Sequence, residues 1–324
     1  MSDLVSIDLG GTHIRFAIAT VADGKVTSLA EPTTLQSADY DGVPAAWIDY
    51  QRRSGKPLPR AAALSVAGPV VNGQVNLTNL PWRIEQRSLQ RDLGMEALVL
   101  VNDFEAVGHA VAAVGADDLQ HLCGPDAPLP ANGVVSIVGP GTGLGVAQLW
   151  RGEDGHRVIA CEGGHIGFAP TDAFEDALLV TLRRRFGRVS AERVAAGPAI
   201  SDIYVALGGR ESAVGDAAED QDIWSRAADG TGDPIARAAV DRFCKMLGSI
   251  AGDLALAHGA SAVVIAGGVG RRLRGFLPTS GFAGRFIDKG RFADEMATLP
   301  VKIITYPEPG LLGAAAAFAQ RALG

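Results

Sequence analysis

Three short stretches carry side chains that could move a proton or hold a hydroxyl group. Asn102-Asp103 follows the apolar run Leu98-Val99-Leu100-Val101 and precedes residues of helical composition. An acid in that position reads as a helix N-cap. It also reads as a base, because a carboxylate at a helix N-terminus stays ionised and oriented, ready to accept a hydroxyl proton. Cys161-Glu162-Gly163-Gly164-His165 combines an acceptor, an imidazole and two glycines that permit close approach. No further Cys or His follows at ligand spacing, which makes it a poor zinc site and leaves a polar turn or a hydroxyl-binding loop. Glu192, in Val189-Ser190-Ala191-Glu192, reads as a first-turn helix acid behind a Ser cap.

A fourth signal is a repeated turn. VSIDLGGTHIRFAIA (Val5 to Ala19) and VSIVGPGTGLGVAQL (Val135 to Leu149) align without a gap. Both read as apolar strand, Gly-Thr turn, apolar strand. A glycine turn between strands is ordinarily a tight turn and nothing more. Successive N–H groups in such a turn can also form a concave anion site, so two copies could hold a polyphosphate. The first copy carries Asp8 where the second has Val138. A carboxylate buried there without a partner would be costly, and Mg²⁺ with its waters is a natural one. Neither copy is a P-loop, since no Gly-Lys-Ser/Thr occurs. Gly139-Pro140-Gly141-Thr142-Gly143 also leads into a strand rather than a Rossmann helix.

Composition sets the limits. The chain has 324 residues with 29 basic and 36 acidic side chains and a net charge of −7, which disfavours nucleic acid as a partner. Arg183-Arg184-Arg185 and Arg271-Arg272-Leu273-Arg274 read as solvated helix faces. No export signal opens the chain, and no segment approaches about 20 uninterrupted apolar residues. Three cysteines without a Cys-x-x-Cys pair fit a reducing, cytoplasmic setting.

These residues need elements to position them. Strands are expected within Leu4 to Ala19 and at Ala61 to Val66, Leu98 to Val101, Val134 to Val138, Ala262 to Ile265 and Val301 to Tyr306. Helices are expected at Phe104 to Val114, Arg271 to Leu277 and Leu311 to Leu323, the last returning to the first domain. This is an α/β pattern repeated in two halves. Two related domains with ligands at the strand ends follow, with a boundary near residue 111. Gly115 to Gly133 reads as the connection between halves, and Gly208 to Asp233 as a polar excursion.

The motifs DLGGTHIRFA, LTNLPW, VNDFEA, GPGTGLGVA, EGGHIGFAP, SAERVAAGP, VIAGGV, DKGRF and PGLLGAAAAF, in this order, resemble those of bacterial glucokinases. The resemblance covers essentially the whole chain. It implies a two-domain actin-like ATPase (ribonuclease H-like) fold with a ligand cleft between the domains, and phosphorylation of the glucose 6-hydroxyl by ATP with Mg²⁺. On that resemblance Asp103 is the base. Asn102, Glu162, His165, Glu192 and Asn79 of LTNLPW bind the sugar. Asp8 (Mg²⁺, through water), Gly10, Gly11 and Thr12 belong to the first phosphate turn, and Gly139, Gly141, Thr142 and Gly143 to the second. Gly267 and Gly268 lie against the adenosine, and a homodimer is expected. His13 stands where the family more often has Asn or Lys, and the cysteine-rich zinc motif of related sugar kinases is missing. The alternatives are a kinase for another hexose or an amino sugar, a sugar-responsive regulator, and another ATPase of the actin fold.

Overall fold

The computed structural model describes residues 1–77, 80, 82–208, 217–228 and 233–321. Two compact units divide the chain: Met1–Gly115 with Val158–Ala160 and Tyr306–Gly324, and Ala116–Arg157 with Cys161–Thr305.

The first unit is built on a sheet of β1 (Ser2–Leu9), β2 (His13–Ala22), β3 (Lys25–Leu29), β4 (Thr33–Gln36) and two later strands, β5 (Ala61–Val66) and β8 (Ala97–Asn102). The short pair β6 (Gln74–Asn76) and β7 (Arg83–Glu85) stands apart from it. The order is β3-β2-β1-β5-β8, with β4 also on β2. β1 runs antiparallel to β2 and parallel to β5, and β5 parallel to β8. Both faces are covered, and the alternation along β1 shows how. Val5, Ile7 and Leu9 pack with Phe16, Trp47 and Tyr50 on one face. Leu4 packs with Ala63, Val101 and the alanines of the C-terminal helix Pro309–Arg321 on the other. Ser6 belongs to that second face, and its hydroxyl donates to the Leu311 carbonyl across 2.6 Å. Asp8 therefore points to the helix side too, at the strand's carboxyl end.

The second unit repeats the plan. Its strands are β9 (Leu119–Cys123), β10 (Gly133–Pro140), β11 (Leu144–Gly152), β12 (Gly155–Cys161), β13 (Ala260–Ile265) and β14 (Val301–Ile304). The order is β12-β11-β10-β13-β14-β9, with β10 antiparallel to β11 and parallel to β13. A hairpin followed by parallel strands thus occurs in both units. The long helix Pro234–His258 fills the core of the second, burying Phe243, Met246, Leu247 and Ile250. It starts on an Asp233 cap and stops at Gly259, whose φ of 59° lies in the left-handed region.

Several expectations change. Gly115 to Gly133 is no plain connection, because it contains β9, which pairs antiparallel with β14. β14 ends at Ile304, since the next N–H, of Thr305, donates to Asp118 instead of continuing the ladder. The last predicted segments of the strand-turn-helix pattern also shift. The helix after β13 begins at the glycines, Gly267–Arg272, and gives way to a 3₁₀ turn at Leu273–Gly275. Within the polar excursion, Ala217–Ala228 is helical and buries Ile223 and Trp224, while 209–216 and 229–232 lie outside the described residues. The two hairpins are also not superposable residue for residue. In the first, Asp8 opposes Arg15 and Leu9 opposes Ile14; in the second, Val138 opposes Val146 and Gly139 opposes Gly145. The second turn holds one residue more.

No helix among the described residues is long and apolar enough to cross a membrane.

The helix Asp103–Ala113 and the C-terminal helix meet at their backbones. A Cβ on Gly313 would lie 1.7 Å from the Ala106 carbonyl oxygen. Alanine is the better helix former by about 0.5–1 kcal/mol, but overpacking against a backbone atom costs about 1–3 kcal/mol or more. The clash wins. Gly313→Ala is expected to lower the thermal midpoint by several degrees in calorimetry; an unchanged or raised midpoint would contradict the contact.

Candidate active site

The functional groups gather at the carboxyl ends of the parallel strands, where each unit's chain leaves its sheet. In the first unit, Asp8 is the penultimate residue of β1, with Arg15 opposite it on β2 and Ser65 opposite it on β5. Both neighbours donate to it: Ser65 Oγ to Oδ1 across 3.1 Å and Arg15 Nη1 to Oδ2 across 3.2 Å. Arg15 Nε also lies 3.7 Å from a carboxylate oxygen of Glu308, just before the C-terminal helix. The premise that Asp8 lacks a protein partner is therefore corrected, because strand register supplies two. Burial pushes the Asp8 carboxyl above its ordinary range, and Arg15 and Ser65 pull against it without cancelling the effect.

The adjoining turn Gly10-Gly11-Thr12 is held by Gly10 N–H to the His13 carbonyl (2.9 Å) and Ser37 N–H to the Thr12 carbonyl (2.9 Å). Gly11 and Thr12 are exposed. Gln36 Nε2 donates to His13 Nε2 across 3.1 Å, which places the His13 ring against β4.

At the end of β8 the N-cap is Asn102, not Asp103. Asn102 Oδ1 accepts from Phe104 N (2.9 Å) and Glu105 N (3.1 Å), and its Nδ2 donates to the Gly68 carbonyl (3.0 Å). Asp103 is the first helical residue, and its Oδ1 accepts from Phe104 N across 2.9 Å. Capping is thus done by the amide, and Asp103 lies beside the helix N-terminus, whose dipole favours negative charge.

In the second unit the turn Gly141-Thr142-Gly143 closes with Gly141 N–H on the Gly143 carbonyl (2.8 Å), and Gly197 N–H donates to the Gly141 carbonyl (2.7 Å). None of Gly10, Gly11, Gly141 and Gly143 has a positive φ. Space, not backbone hand, demands glycine at 143: a Cβ there would lie 2.6 Å from Glu192 Oε2. Gly139 is not in the turn but buried in β10 opposite Gly145. Gly267 has φ 77°, and its missing Cβ leaves room for the Pro140 carbonyl 2.4 Å away, so the glycine helix can press on β10. Gly268 faces open space.

A cavity of about 760 Å³ lies beside these turns, lined by Gly141, Thr142, Gly197, Trp224, Gly268 and Val269, among others. Arg271, Arg272 and Arg274 line it as well. Their reading as a solvated face stands, since all three are exposed, and the structure adds that this face borders the cavity.

Glu162 precedes and His165 ends a 3₁₀ turn, Gly163–His165, with Oε2 and Nε2 3.8 Å apart and both side chains largely exposed. The glycines let the turn pack closely on β11: a Cβ on Gly164 would lie 2.1 Å from the Leu144 carbonyl oxygen. Glu192 opens the helix Glu192–Ala195 without a Ser cap, since Ala191 is the N-cap and makes no side-chain capping bond. Its carboxylate instead reaches Leu144 N–H at 3.0 Å. Asn79 lies outside the described residues. Among those described, no group of three or more His, Cys, Asp or Glu side chains could hold a metal ion.

Comparison with known proteins decides the family. The glucokinase family model matches residues 5–321. The glucokinase of Zymomonas mobilis is 52% identical over 319 residues, covering 98% of each chain. That of Caulobacter vibrioides is 41% identical over 313 residues, covering 96% of this chain and 93% of the relative. A crystal structure of glucokinase from an Antarctic psychrotroph superposes with a TM-score of 0.83 at 33% identity, covering 98% of each chain.

The chain belongs to the glucokinase family. Its fold is the two-domain actin-like ATPase fold, and its reaction is the ATP-dependent phosphorylation of glucose.

Within that glucokinase framework, motif reading passed over Arg15, Ser65, Glu308 and the cavity-lining arginines. Arg15 stands inside DLGGTHIRFA, seven residues after Asp8, and the hairpin register was the available signal for it.

Because folding raises the Asp8 pKa, the native state holds that proton more tightly than the unfolded chain does. The resulting stability is present below the ordinary carboxylate value and is lost as pH rises through the raised one. Arg15→Met removes an opposing charge and a hydrogen bond. The Asp8 carboxyl titration, followed by ¹³C NMR, is expected to move to higher pH still; an unmoved midpoint would show that Arg15 does not act on it.

Proposed function

We propose that this chain phosphorylates the 6-hydroxyl of glucose with Asp103 as the base, and that the observation carrying this reading is Asp103 at a helix start whose capping is already done by Asn102. A carboxylate beside a helix N-terminus is steadied by the helix dipole and can accept the hydroxyl proton as the sugar oxygen bonds to phosphorus. Phosphoryl transfer passes through a loose transition state, so positioning and charge neutralisation outweigh proton removal, and an acid of ordinary strength suffices. The sugar's other hydroxyls are assigned to the Asn102 amide, Glu162, His165, Glu192 and Asn79. Asn102 has one amide N–H still available, while its Oδ1 is spent on the helix.

The nucleotide phosphates are assigned to the exposed turns at Gly10-Gly11-Thr12 and Gly141-Thr142-Gly143, and the nucleoside to the cavity beside Gly267 and Gly268. Mg²⁺ is held by one or two carboxylates together with substrate phosphates and waters in such sites. Asp8 fits this as a contact through water: each oxygen is engaged once, by Ser65 or Arg15, and retains a lone pair. When bound, the ion neutralises phosphate charge. Domain limits of 1–110 with 311–324 and of 111–310, a cytoplasmic location and a homodimer complete the reading.

A coupled assay with glucose, ATP and Mg²⁺ omitted in turn, followed by a panel of hexoses and amino sugars, tests the reaction and its strictness. Asp103→Asn keeps an acceptor for Phe104 N–H, so the fold should hold. Its kcat is expected to fall by about 10²- to 10⁴-fold. Near wild-type turnover would remove Asp103 from the role of base.

A further inference from the structure

Glu192 touches the nucleotide turn, although its proposed ligand is the sugar. Its Oε2 accepts from Leu144 N–H at 3.0 Å, at the first residue after the turn. The space a Cβ would need on Gly143 is occupied by the same oxygen, at 2.6 Å. Five residues on, Gly197 N–H grips the other side of the turn through the Gly141 carbonyl at 2.7 Å, and a Cβ on Gly197 would lie 3.0 Å from that oxygen. The short helix Glu192–Ala195 between these two contacts is a rigid spacer, closed by Ala196 N–H on the Glu192 carbonyl (3.0 Å). One segment therefore clamps the turn at both ends. Gly141, Thr142 and Gly197 also line the cavity.

We infer that Glu192 is a positioning residue that couples sugar occupancy to the shape of the Gly141-Thr142-Gly143 turn, one carboxylate oxygen serving each ligand; this rests on the assignment of Glu192 to the sugar. Oε1 has no hydrogen-bond partner among the described residues, whereas Oε2 holds the turn. A sugar hydroxyl donating to Oε1 immobilises the carboxylate, and with it the acceptor that fixes Leu144 N–H. The turn is then ordered before the nucleotide arrives, and the second ligand binds to a site with less freedom left to lose. A carboxylate can do this because it accepts on both oxygens; an amide presents a donor on one side. The same link runs in reverse, since the coupling between two ligands is reciprocal by thermodynamic necessity.

The test measures the dissociation constants of glucose and of the non-hydrolysable ATP analogue AMPPNP, each alone and with the other saturating, by calorimetry. In the wild type, glucose is expected to tighten AMPPNP binding about tenfold, and AMPPNP to tighten glucose by the same factor. In Glu192→Gln that factor falls to one, and AMPPNP binding without sugar also weakens, as does glucose binding. Gly143→Ala carries the complementary arm, because its Cβ displaces the carboxylate while leaving Glu192 in the chain. Glucose binding without nucleotide is expected to weaken about tenfold in it, the size of one hydrogen bond to a charged acceptor. Weakened glucose binding in Glu192→Gln with the coupling factor unchanged, or normal glucose affinity in Gly143→Ala, overturns the link while leaving the sugar assignment standing. Unchanged glucose affinity in Glu192→Gln overturns the sugar assignment itself. Should thermal melting show Glu192→Gln unfolded, Gly143→Ala decides alone.

Discussion

A carboxylate at the end of a buried strand needs neutralising neighbours, and in this chain the ladder itself provides them. Asp8 sits in register with Arg15 on one side and Ser65 on the other, so its two hydrogen bonds follow from strand pairing. The remaining order of the first unit is arranged around that point. Ser6, two residues earlier on the same face, ties β1 to Leu311 at the start of the C-terminal helix, and a Cβ on Gly310 would lie 2.6 Å from Asp8 Oδ1. The last helix, remote in sequence, thus closes over the acid and presses at Gly313 against the helix that Asp103 begins. Residues from the beginning, middle and end of the chain share one packing face, so the orientation of Asp103 and the charge state of Asp8 rest on the same core.

The second unit solves a different problem with the same strand plan. Val138 replaces the acid, and the turn after β10 is stiffened from outside by Glu192 and Gly197. Burying an acid in the first hairpin costs desolvation that Arg15 offsets only in part. Bracing the second turn with an acid from another element avoids that cost, because Glu192 is only partly buried. The two units therefore share a backbone topology while their electrostatics differ.

Much of the fold was legible along the chain. The apolar runs at Ala61 to Val66 and Leu98 to Val101 fall within strands, and the glycine hairpins announce themselves by composition, because these signals are local: period-two burial and turn residues depend on near neighbours. β9 escaped because its residues, Leu119-Gln120-His121-Leu122-Cys123, gain strand character only from pairing at a sheet edge with β14, far along the chain. The arginine run at 271–274 was legible as exposed, but not as a cavity border. A charge cluster is exposed in either reading, and only the cavity beside it shows which way it faces.

The sequence by itself determined the α/β class, the twin hairpins, the acids at strand ends and the family to which the chain belongs, since periodicity and ordered motifs are properties of the chain alone. The tertiary structure decided which groups are partners: Arg15 with Asp8, Glu192 with Leu144, Asn102 rather than Asp103 as the cap. Those choices depend on register, and in the case of Glu192 on a neighbour 48 positions away. A shift of one residue, such as separates the two turns, changes every cross-strand pair without changing the pattern that predicts a strand.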